Sequence, residues 1–224
     1  MRLWLRNNSL SLFFLVLFLV TVLAQSVAGL RAYNEEQVEH GAQAVSYARY
    51  LVSSDFGQAV TENWQSEFLQ FSLFIFATVW LVQRGSNESK KPEDAGLESD
   101  EKQLIGPHAQ HNSPRWAKVG GFRNWVFSNS LILVMTTIFL ASWFGQSVTG
   151  WTKYNQEQRD HDASAVSWGG YVTRSSFWED TLQNWQSEFL AVGTMAVFTI
   201  YLRQRGSPES KPVGAPHTET GSSG

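Results

Sequence analysis

The chain has 224 residues, 17 Lys and Arg against 20 Asp and Glu for a net charge of −3, 43% hydrophobic residues and no cysteine. The missing cysteine excludes a disulfide framework, Cys-ligated zinc and a thiol nucleophile, and the slightly acidic balance argues against nucleic acid as a partner. Ten Trp and fifteen Phe make the chain too aromatic to be disordered throughout, and the mean hydropathy of −0.22 averages very apolar stretches with very polar ones.

From Asn7 to Leu30 no residue is charged. The run exceeds the roughly 20 residues that a helix needs to cross a bilayer, and it predicts a span over about residues 9–30. Arg2 and Arg6 ahead of it, and Val22-Leu23-Ala24 within it, also fit a secretory signal. Next comes a polar stretch from Tyr33-Asn34 to Tyr50. In it Glu36 and His40 are four apart, so on a helix they share a face. Asp55 followed by Gln58 is a capping pattern. A helix starting there and running about 28 residues to Gln83 is about 42 Å long, enough to span. The predicted span is 63–83, with Trp64 at the outer aromatic belt. Residues 87–120, rich in Pro, Gly, Ser, Glu and Lys, are expected to be a flexible cytoplasmic tether.

The order then recurs. Asn124 to Trp151 is uncharged and predicts a span over 128–151. Glu157 and His161 repeat the spaced pair, Ser176 and Glu179 the capping pattern, and Trp185 the interfacial tryptophan. A fourth span is expected over 184–203, and residues 207–224 form a tail expected to be disordered.

Shifted by 121 residues, the chain lies on itself without a gap, with 39 of 87 paired positions identical between residues 4–90 and 125–211. Asn63 to Leu69 recurs letter for letter as Asn184 to Leu190. The chain therefore reads as a tandem duplication, with residues 1–86 and 121–206 as two-helix repeats. The second apolar run lies mid-chain and cannot be a signal, which argues against cleavage of the first. The expected fold class is an all-α membrane protein: four transmembrane helices as two parallel repeats with pseudo-two-fold symmetry.

Apolar positions drift between copies while one polar set does not. Gln25, Ser26, Asn63 and Glu67, with Gln146, Ser147, Asn184 and Glu188, fall at one estimated depth near the outer headgroups. They are read as a polar layer in which Gln25 and Gln146 bond to the Asn/Glu helix face. Such residues either glue helices or, being partly ionisable, flank a pathway. Glu36–His40 and Glu157–His161 supply two ligands each, short of a metal site. No metal and no cofactor is expected. No nucleotide-binding or hydrolase motif appears, so no catalytic residue is named and no enzyme is expected.

The segments expected outside, 30–67 and 151–188, hold five basic and twelve acidic residues together, whereas the linker 83–123 holds seven and six. Lys and Arg mark the cytoplasmic side, which places both termini and the linker inside.

With Gln-Ser-Val-x-Gly, Tyr-Asn-x-Glu-Gln, Asn-Trp-Gln-Ser-Glu-Phe-Leu and Arg-Gly-Ser-x-Glu-Ser in both copies, the chain resembles a family of small bacterial membrane proteins catalogued as a domain of unknown function. The resemblance covers residues 4–90 and 125–211, as two tandem repeats, and not the linker or tail. It implies a bacterial inner membrane and lends no activity, substrate or site. The expected role is structural or accessory, with the lipid bilayer and a second copy or a membrane protein as partners. The alternatives are a small transporter or channel, or a pH sensor using His40 and His161.

Overall fold

The computed structural model describes residues 2–221; Met1 and the last three residues of the tail lie outside the described residues, as does the side chain of Arg2. Among the described residues the chain is all helical, without a strand. The helices are α1 (Arg2–Asn7), α2 (Ser9–Glu39), α3 (Tyr47–Leu51), α4 (Ser54–Trp80), α5 (Phe122–Ser128), α6 (Ser130–Asp160), α7 (Trp168–Val172) and α8 (Ser175–Tyr201).

α2 and α6 are both 31 residues long, and they alone among the described helices are long and apolar enough to cross a membrane. α4 and α8, both 27 residues, fall short of that standard. Polar side chains lower the hydropathy of both, Asn63, Gln65 and Glu67 midway along α4 and Asn184, Gln186 and Glu188 midway along α8, with further acids ahead of them. Two such helices stand where four were expected.

Helix ends follow local hydrogen bonding. α2 closes where Gly41 (φ +74°) lets Ala42 N reach Gln37 O at 2.8 Å, the left-handed glycine stop. At the matching end of α6, Asp162 takes that conformation (φ +54°), and Ala163 N reaches Gln158 O at 2.7 Å. The Ser46 and Ser167 hydroxyls cap α3 and α7. α4 starts earlier than its capping pattern suggested: Ser53 Oγ, two residues before Asp55, accepts from Phe56 N at 3.3 Å.

The chain divides into two compact units. One holds residues 2–61 and 145–174; the other holds 62–144 and 175–221 of the described chain. In the first unit, the core is aromatic and small-residue packing. The Tyr33 and Tyr50 rings lie 5.7 Å apart, and those of Tyr154 and Tyr171 lie 5.6 Å apart. Tyr50 and Tyr171 are buried. Their hydroxyls sit against Gly29 and Gly150, where any Cβ would overlap them. Only a residue without a side chain permits that approach.

In the second unit, Phe139, Trp143, Phe177, Trp178 and Trp185 form one aromatic cluster. The segments that follow α4 and α8 belong here as well. Both were expected to be tethers without a fold. The structure gives both the same hook, built on Arg-Gly-Ser-x-Glu-Ser. Gln83 N donates to Ser89 Oγ at 2.8 Å and Gln204 N to Ser210 Oγ at 2.9 Å, with Gly85 and Gly206 at positive φ. Lys211 is buried, and its Nζ donates to the carbonyls of Gly85, His217 and Glu219 at 2.6, 3.1 and 3.0 Å. Short 3-10 turns (Pro92–Asp94 and Gly106–His108) and a Lys102–Asp94 ion pair at 2.9 Å lie in the linker. Composition alone conceals this, because it records how polar a stretch is and not which side chain meets which backbone group.

Candidate functional site

Two clusters collect most of the polar residues singled out in the sequence. The first lies at the ends of α2 and α6. Asn34 Oδ1 accepts from Val45 N at 2.7 Å while its Nδ2 donates to Val45 O at 3.1 Å. Asn155 makes the same pair with Val166, at 2.8 and 2.9 Å. Each carboxamide thus substitutes for a missing backbone partner and pins the loop beyond its helix. That is the chemistry behind the repeated Tyr-Asn. Ser26 Oγ lies 2.7 Å from Tyr47 OH, and Ser147 Oγ accepts from Trp168 Nε1 at 3.1 Å. Both serines of the expected polar layer are buried, and they tie α2 to α3 and α6 to α7.

The same unit gathers the outer-loop pairs. Glu36, His40 and Glu157 line one small crevice of about 20 Å³, with Asp55, Lys153 and Asp160. The His40 and His161 rings meet edge to face, with centroids 6.4 Å apart. Lys153 pairs with Asp55 at 3.5 Å. The space holds about one water. Among the described residues no group of three or more His, Asp or Glu is arranged to hold a metal.

The second cluster lies where the heptapeptide recurs. Gln65 and Ser66 of Asn63–Leu69 are buried, yet their counterparts Gln186 and Ser187 are exposed. Identical sequences therefore occupy different surroundings. Gln65 Oε1 accepts from Trp185 Nε1 at 2.7 Å, and Asn184 Nδ2 donates to Glu62 Oε1 at 2.8 Å. Trp185, expected as an interfacial anchor, spends its indole N–H inside the unit, while Trp64 is 41% exposed.

The expected layer is thus placed unevenly. Gln146, Ser26 and Ser147 are buried, Asn184 and Glu188 are half-buried, and Gln25, Asn63 and Glu67 are exposed. The Asn184 amide goes to Glu62, a residue sequence reasoning passed over. Gln65, Trp143 and Thr181 were passed over too. A signal existed for each: Gln65 lies in the recurring heptapeptide, and Trp143 and Thr181 stand where Val22 and Val60 lie 121 residues earlier.

Beside the first hook is an open cavity of about 510 Å³ lined by Asn87, Glu88, Lys90, Lys91, Asp94 and Glu98 among others. Burial, and then the charge of Glu209, push the Glu88 carboxyl above the usual range.

No curated protein and no solved structure matches the chain. The model of one family, described as a domain of unknown function (DUF6766), matches residues 1–222. That single match takes in the linker and nearly all of the tail, which the sequence resemblance had left out. The chain therefore belongs to the DUF6766 family.

Proposed function

We propose that this chain is an integral membrane protein of structural or accessory kind, without catalytic activity, in a bacterial inner membrane. One observation carries the reading: in the most apolar 18-residue stretch of α2, only 6% is buried. Leu10, Phe13, Phe14, Val16 and Leu19 are more than half exposed. Contiguous apolar surface on this scale is unstable in water and ordinary against lipid.

The topology we propose has four spans as two parallel hairpins, α2 with α4 and α6 with α8, and with both termini and the linker inside. The acidic first halves of α4 and α8 then emerge on the outer side, leaving shorter apolar halves in the hydrocarbon. The matched lengths of α2 and α6, and of α4 and α8, support this reading. So does the Lys and Arg bias.

Because the chain has no native cysteine, single replacements Ala44→Cys, Leu97→Cys and Ala165→Cys report topology directly. All three positions are exposed. An impermeant maleimide added to intact cells should label positions 44 and 165 and leave 97 for lysed cells. Labelling of 44 and 165 on opposite sides would defeat the parallel arrangement. Extraction of the wild-type chain from membranes by alkaline carbonate would defeat the membrane reading itself. Solute flux through proteoliposomes, lost in Glu67→Gln with Glu188→Gln, would favour a transporter over the structural role.

A further inference from the structure

We infer that α4, α6 and α8 hold a buried water molecule between Gln65, Trp143 and Thr181. Gln65 and Thr181 are each 0% exposed. Gln65 Nε2, Trp143 Nε1 and Thr181 Oγ1 are all buried and have no hydrogen-bond partner. Native proteins rarely leave such groups unpaired, so three in one neighbourhood mark a place for a guest.

The neighbourhood is defined by shared contacts. Trp185 Nε1 donates to Gln65 Oε1 at 2.7 Å. Its ring lies 5.8 Å from that of Trp143. The Trp143 ring also lies 6.4 Å from Phe177. Thr181 sits between these contacts on α8, one turn after Phe177 and one before Trp185, hence on the same face. An amide, an indole and a hydroxyl on three helices therefore converge on the aromatic cluster.

Their chemistry selects the guest. The amide and the indole offer hydrogens and ask for an acceptor; the hydroxyl accepts as well as donates. Water answers all three at once, accepting from the two N–H groups and donating to Oγ1, within the usual two to four partners of a buried water. A small anion meets the N–H groups but not the electrostatics. On α8 and on the parts of α4 and α6 in this unit, the charged side chains are Glu62, Glu67, Glu179, Asp180 and Glu188, all acids. Burying an unpaired negative charge beside them is costly. This site stands apart from the proposed membrane role, since it rests on packing within one unit.

The test is water–protein cross-relaxation on the full chain in detergent micelles with 15N-labelled tryptophan. Trp143→Phe identifies the Trp143 indole resonance by its loss. In the wild type that indole proton should show a cross peak to bound water. The peak should persist in Thr181→Val, where two donors still hold the guest. No cross peak in the wild type would overturn the inference. So would its disappearance in Thr181→Val, because the peak would then have come from hydroxyl exchange. If Thr181→Val does not fold, Thr181→Ala draws the same distinction. A saturable shift of the Trp143 indole on titration with bromide would replace water by an anion.

Discussion

The side chain of Asn34 grips both polar groups of Val45, accepting from its N–H at 2.7 Å and donating to its carbonyl at 3.1 Å. Asn34→Ala removes both bonds and strands two backbone groups. The expected loss is about 1–3 kcal/mol, read as a lower midpoint of thermal unfolding in detergent. Asn34→Asp keeps the acceptor and should fall between. Asn155 should give the same series through Val166.

Gly29 and Gly150 have no space for a methyl group, because the Tyr50 and Tyr171 hydroxyls already occupy it. Gly29→Ala should destabilise by about 1–3 kcal/mol, as overpacking does. The double variant Gly29→Ala with Tyr50→Phe removes the colliding oxygen and should recover part of that. Equal loss in single and double variants would show that the collision is not the cause. A double-mutant cycle on unfolding midpoints measures it.

Asp162 adopts the left-handed conformation that Gly41 adopts at the matching helix end. Residues with a Cβ pay for this conformation and glycine does not. Asp162→Gly should therefore stabilise the chain by about 1 kcal/mol, while Gly41→Asp should destabilise it. Paired unfolding curves settle the two signs.

Glu88 carries its own pH signature. Burial, reinforced by Glu209, raises its carboxyl above the ordinary value in the folded chain. The folded state then binds the proton more tightly than the unfolded state. The stability so gained is present below the unfolded pKa and is lost as pH rises through the folded one. Glu88→Gln should therefore be more stable than wild type at pH 8, and the difference should vanish near pH 4. Unfolding midpoints across that range check the sign.

The long helices were legible because uncharged runs of apolar residues have few other uses. The recurrence of Tyr-Asn and of Arg-Gly-Ser-x-Glu-Ser was legible too, but not its purpose. A side chain that meets backbone eleven residues away, as Asn34 meets Val45, leaves no periodic trace. Depth along a helix predicted which polar residues lie at one level and not which face they share. Hence depth groups Gln25, Asn63 and Glu67, which are exposed, and omits Gln65, which is buried. Ser53 displaced Asp55 as the start of α4 because capping depends on the backbone angle at one residue, which spacing does not reveal.

The unequal fate of the heptapeptide bears on mutagenesis. Gln65 and Ser66 are buried, whereas Gln186 and Ser187, the same letters 121 residues on, are exposed. Surroundings and not letters set the tolerance of each site, so Gln186→Ala should pass almost unnoticed where Gln65→Ala is felt.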